Sequence, residues 1–171
     1  MLKFIPLVLL ACSYLLVRMN IPHLPACIPT HFNAAGVANG WGSPDTLWTL
    51  VWAQALCCAM FLIIPSIGRA FPGVVHFGRR RLSDFPPAQR ARMLPMLSDM
   101  SAYLSIVMNL FLSWMVREMV RLAQQPQPRL HMIVPMALLI GGMAGVTLYY
   151  LVLFGRAATG TSDSSPTDAS E

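Results

Sequence analysis

Four apolar runs, each close to the length of one bilayer crossing, constrain this chain more than anything else in it. A helix needs about 20 mostly apolar residues to span the hydrocarbon core. The runs 2–18, 46–68, 96–117 and 132–154 approach or exceed that length. The first is the shortest, but Lys3 and Arg18 at its ends carry stems long enough to reach the interface. What lies between the runs does not supply a water-facing coat. Charged residues are 11% of the 171 and hydrophobic ones 56%, where a soluble domain carries about 25% charged residues. The expected fold is an all-α polytopic membrane protein with four transmembrane helices and an ordered Pro/Gly-rich extracytoplasmic loop.

Leu9-Leu10-Ala11-Cys12 has the form of a lipoprotein cleavage box. The apolar run nevertheless continues to Val17, whereas a secretory segment ends near its cleavage site. The first run is therefore expected to stay as a span. Cys12, Cys57 and Cys58 sit inside apolar runs and read as small hydrophobes. With Cys27 they give no disulfide framework.

Net charge is +5, and its distribution sets the orientation. Arg79, Arg80, Arg81, Arg90 and Arg92 crowd the segment between the second and third runs. No aromatic residues interleave with them as base-stacking platforms, so nucleic acid is not expected as a partner. A loop facing anionic lipid accounts for them. The positive-inside rule then puts this loop in the cytoplasm. Both termini follow it, residues 19–45 are extracytoplasmic, and the tail 157–171, rich in Ser, Thr and Asp, is expected to be disordered. In the same loop Ser83 or Asp84 is a candidate helix cap ahead of Pro86 and Pro87. Pro95 is expected to kink or break the Arg-rich helix before the third span.

Inside the spans, Ser101, Ser105, Asn109 and Ser113 recur at four-residue steps and share one helix face. Such a stripe is expected to face another helix and hydrogen-bond across it. Gln54 in the second span needs a partner in the bundle. Gly141 and Gly145 form a small-xxx-small pair on the fourth span, a site of close helix approach, whether to this chain or to a second copy. Glu118 and Arg121 are spaced to pair at the end of the third span, level with Arg117. His76 and His131 read as plain interfacial residues.

The first loop holds the densest pattern. Pro22, Pro25 and Pro29 forbid a regular helix and favour extended backbone. Gly36, Gly40 and Gly42 permit turns at positive φ, and Asn39-Gly40 is a turn dipeptide. Phe32 and Trp41 suit an interface. The loop is expected to lie as a plug across the outer ends of the helices. Its run Leu24-Pro25, Ile28-Pro29-Thr30-His31-Phe32-Asn33-Ala34-Ala35-Gly36 and Gly40-Trp41-Gly42-Ser43 resembles the signature of domain of unknown function 1648. That family of bacterial integral membrane proteins is related to the domain in an immunity protein against a sporulation-delaying toxin. The resemblance implies a bacterial cytoplasmic membrane protein that senses, binds or protects, with His31, Phe32, Asn33, Gly36, Gly40, Trp41 and Gly42 as ligand-binding or loop-structuring residues. Ala26, Val37-Ala38-Asn39 and Pro44 stand where the family commonly carries charges.

His23, Cys27 and His31 are spaced by four and are weak candidates for a soft metal site. No nucleophile–base pair, phosphate loop or zinc-hydrolase helix occurs. The expectation is a non-enzymatic protein without a cofactor, partnered by membrane lipids and by a second copy or another membrane protein. An accessory subunit, a small transporter or a metal-dependent membrane enzyme stay as alternatives.

Overall fold

A computed structural model describes residues 4–159. Four long helices carry the chain: α1 (Ile5–Asn20), α2 (Leu47–Ala70), α3 (Pro87–Leu122) and α4 (Ile133–Thr159). All four are long and apolar enough to cross a membrane. Two small antiparallel hairpins join them. One pairs β1 (Ile28–Phe32) with β2 (Ala38–Gly42); the other pairs β3 (His76–Phe77) with β4 (Arg80–Arg81). The first loop thus forms a β-hairpin within a mostly helical chain.

The helix starts follow local chemistry. α1 has proline in its first turn, where the missing N–H is no loss. Before α2, Ser43 Oγ accepts the Asp45 N–H at 3.3 Å and Thr46 Oγ1 donates to the Ser43 carbonyl at 2.7 Å, closing a 3-10 turn (Pro44–Thr46). α3 begins at Pro87 without a side-chain cap. Neither Ser83 nor Asp84 caps it, contrary to expectation. Asp84 instead reaches back to accept the Arg81 N–H at 2.9 Å and closes the turn Leu82–Asp84. Pro86 precedes the helix and Pro87 opens it, neither with an N–H to offer, and the Asp84 carboxylate is already engaged.

Contrary to the expectation from the sequence, Pro95 does not break the helix ahead of the third span. α3 runs unbroken through Pro95. Membrane helices tolerate an interior proline where neighbouring groups stabilise the backbone, and here Met93 and Leu97 on either side of it are buried against Leu82, Phe85, Tyr150 and Phe154. At the other end α4 continues to Thr159, so residues 157–159 are helical rather than part of a disordered tail. The remainder of that tail lies outside the described residues.

α3 is the hub. It packs against α1, α2 and α4, while α4 packs chiefly on α3. The approach of α2 to α3 is close at Gly68, where an added Cβ would fall 2.8 Å from Leu97 Cδ2. Two apolar clusters close the ends of the bundle. At the β1–β2 end, Val17, Ile28, Leu47, Val51, Val116 and Val120 pack together. At the arginine end, Leu82 and Phe85 pack with Met93, Leu97 and Phe154.

The polar stripe faces inward, as its spacing predicts. Asn109 and Gln54 are fully buried, and Ser101 and Ser105 nearly so. Ser113 Oγ receives hydrogen bonds from Gln54 Nε2 at 2.9 Å and Ser13 Oγ at 3.1 Å, tying α2 and α1 to α3. Asn109 Nδ2 donates to the Ser105 carbonyl at 2.8 Å, and its Oδ1 accepts the Cys58 thiol at 3.1 Å. Cys58 therefore belongs to this network, which its reading as a small hydrophobe missed.

Gly141 and Gly145 do not mark a helix contact within the chain. An added Cβ at either would meet nothing within 4 Å, whereas one at Gly142 would lie 3.1 Å from Val107 Cγ1. Rotation by one residue carries the α3-facing side of α4 from Gly141 to Gly142.

Candidate functional site

Four hydrogen bonds build the turn of the β1–β2 hairpin. Asn33 Oδ1 accepts the N–H groups of Ala35 at 3.0 Å and Val37 at 2.9 Å, which folds the chain over at the strand end. The Asn33 N–H donates to the Val37 carbonyl at 2.9 Å and the Gly36 N–H to the Asn33 carbonyl at 2.9 Å. Gly36 takes φ +75°, the left-handed region that glycine enters without penalty.

The turn therefore lies at Asn33–Gly36 and not at Asn39-Gly40. Those two residues are inside β2, with Gly40 opposite His31. A Cβ on Gly40 would sit 2.8 Å from His31 Cβ, so its glycine makes room for the cross-strand neighbour. Gly42 likewise faces Thr30, at 3.1 Å from Thr30 Cγ2. Of the three signature glycines only Gly36 has positive φ.

The hairpin does seal the bundle. Ile28 is fully buried among Val17, Leu47 and Val116 from three different helices, and Pro29 beside it is buried as well. Phe32 packs partly against the same cluster. Trp41 is 56% exposed on the other strand, where an aromatic body can sit in the interface. A second attachment comes from the α3–α4 connection. The Leu130 N–H donates to the Gly36 carbonyl at 2.8 Å, and Val37 forms an antiparallel bridge with Arg129. An added Cβ on Gly36 would fall 2.2 Å from the Leu130 carbonyl oxygen.

Between these attachments lies a cleft of about 780 Å³. Thr30, His31, Phe32, Asn33 and Gly36 form one wall, and Leu130, His131, Met132 and Ile133 form the other. Its polar groups are not equally available. The Asn33 side-chain oxygen is committed to the turn. His31 Nδ1 lies 2.5 Å from Asn39 Oδ1. A carbonyl oxygen accepts, so Nδ1 carries the proton and Nε2 is the ring atom left for a ligand. His131 faces the same space. Positions 31 and 131 come to line one cleft only in the folded chain, and no spacing in the sequence announces it.

His23, Cys27 and His31 are all exposed and do not assemble. Among the described residues no group of three or more His, Cys, Asp or Glu side chains is placed to hold a metal ion.

At the opposite end Arg79, Arg80 and Arg81 are exposed on and beside the β3–β4 hairpin, while Arg90 and Arg92 lie on the first turns of α3. Arg80 also stacks over the Phe85 ring at 5.7 Å. The Arg81 N–H and nearby Ser83 and arginine groups hold the Asp84 carboxyl below its usual range. Near the hairpin end of α3, Arg121 pairs with Glu118, as their spacing predicts.

Residues 7–57 match the family model described as Domain of unknown function (DUF1648). The matched segment covers α1, the β1–β2 hairpin and the first part of α2, less than half of the chain, and it contains every residue of the signature resemblance. No curated protein and no solved structure matches the chain.

Proposed function

We propose that this chain is a non-enzymatic bacterial membrane protein of sensing, binding or immunity type, and that the cleft beside the β1–β2 hairpin recognises its extracytoplasmic ligand. The observation that carries this reading is that His31 and His131 line the two walls of one cleft of about 780 Å³, on a hairpin fixed at two places. A ligand site needs a few polar groups held on a rigid frame. Ile28 and the Gly36–Leu130 bond supply the frame, and His31 Nε2 supplies a polar group with no structural duty. The distribution of Lys and Arg supports an outward-facing hairpin, cytoplasmic termini and a place in the cytoplasmic membrane.

The test is complementation of a deletion host under envelope and toxin stress at matched membrane levels. His31→Gln and His131→Gln should lose function while melting like the parent. Full function in both variants would overturn the reading.

One observation favours a second reading, an accessory subunit of a membrane complex or a homo-oligomer. Gly141 and Gly145 leave a flat face on α4 that none of the described residues covers. A stoichiometric partner or a second copy that dissociates in Gly141→Leu would support it.

A further inference from the structure

The arginine end of the bundle has a feature that the hairpin reading does not use. Where α1, α2 and α3 meet, an apolar cavity of about 180 Å³ lies among Leu7, Phe61, Leu62 and Ala102. A second cavity of about 360 Å³ adjoins it toward the helix ends, with Arg69 and Asp99 on its walls. Arg69 and Ser98 line both, so the two adjoin at these residues. Ser98 is 8% exposed, and its hydroxyl is buried without a hydrogen-bond partner. In a helix that hydroxyl ordinarily bonds to a carbonyl one turn back; here it has no partner, on a residue that lines both cavities.

The two charges make the cleft more specific. Arg69 and Asp99 face the same space, yet the only ion pair among the described residues joins Arg121 to Glu118. A cation and an anion that flank a cleft without bridging match a ligand carrying both charges. Arg69 is in the last turn of α2, and Ser98 and Asp99 are near the start of the third apolar run. Charged groups at the ends of apolar helices suit headgroup depth, with the apolar cavity one turn deeper.

We propose that this cleft binds one phospholipid with a phosphoethanolamine headgroup. The phosphate lies against the Arg69 guanidinium and accepts a hydrogen bond from Ser98 Oγ. The ammonium lies against the Asp99 carboxylate, and one acyl chain enters the cavity beside Phe61 and Leu62. A guanidinium favours phosphate, and an ammonium brings three donors to a carboxylate. An anionic lipid satisfies only the first contact. A choline lipid carries the positive charge but no N–H.

Thermal stability and native mass spectrometry of the delipidated full chain test the proposal. The probes are dioleoyl phosphatidylethanolamine, phosphatidylglycerol and phosphatidylcholine, together with free phosphoethanolamine. One retained phosphatidylethanolamine, and a larger rise in melting temperature with it than with the other two lipids, is expected. Asp99→Asn should erase the preference over phosphatidylglycerol, and Arg69→Gln should weaken binding of all three. Both side chains are exposed, so neither change threatens the fold. Equal retention of all three lipids by the parent, or an undiminished preference in Asp99→Asn, would overturn the proposal. Saturable binding of free phosphoethanolamine as tight as that of the lipid would also overturn it, because the acyl chain would then contribute nothing.

Discussion

Gly36 and Leu130 meet backbone to backbone, 2.8 Å from N–H to carbonyl, across a gap too narrow for a Cβ. This contact fixes the tip of the first loop to the third. It explains the signature glycine twice over, through its φ of +75° and through the space it leaves.

Gly36→Ala is therefore expected to destabilise the protein beyond the about 1–2 kcal/mol of a left-handed alanine. Gly78→Ala provides the comparison, since Gly78 has φ +64° and open space around it. In detergent melts Gly36→Ala should fall further than Gly78→Ala. Equal losses would mean that the Leu130 contact contributes nothing.

On α4 the glycines should separate by face. Gly141→Ala meets open space and removes backbone freedom, so it should be neutral or stabilise by up to about 1 kcal/mol. Gly142→Leu should destabilise, because Val107 already lies 3.1 Å from an added Cβ. Loss of stability in Gly141→Ala would point to an intermolecular contact, which cross-linking would then detect.

The buried network predicts coupling. Ser113→Ala removes the shared acceptor of Gln54 and Ser13 and should cost about 0.6–2 kcal/mol. Ser113→Ala with Gln54→Leu should cost less than the two singles together, because Ser113→Ala leaves Gln54 Nε2 without its acceptor and Gln54→Leu removes that amide. Strict additivity in a double-mutant cycle would show that the bond is not formed.

Asp84 gives a pH dependence with a defined sign. Its folded-state pKa is lowered, chiefly by the Arg81 N–H. The stabilisation is thus complete above the unfolded carboxylate pKa and is lost as pH falls through the lower, folded value. The β3–β4 segment should loosen only in acid, below the ordinary carboxylate range. Asp84→Asn should flatten that acid limb in amide exchange of residues 76–84.

The four spans were legible because lipid demands long apolar helices and leaves few alternatives. The inward stripe of Ser105, Asn109 and Ser113 was legible for a related reason, since polar groups in lipid must find partners. The loop was less so. Its prolines gave extended backbone, but Asn39-Gly40 pointed to a turn six residues past Asn33, where the side chain of Asn33 makes the real one. A local dipeptide preference yields when Gly40 is needed opposite His31. Likewise, a four-residue glycine repeat could not say which side of α4 faces α3. The cleft itself joins residues a hundred positions apart, and only the folded bundle brings His131 to His31.

Filling the cleft tests the central claim most directly. Ala34 and Ala35 line it and are exposed, so Ala34→Trp should occupy the space without touching the bonds that hold the hairpin. Ala26→Trp, exposed and outside the cleft, is the control. The account predicts that Ala34→Trp fails to complement the deletion host while inserting and melting like the parent, and that Ala26→Trp complements fully. Full complementation by Ala34→Trp would contradict it.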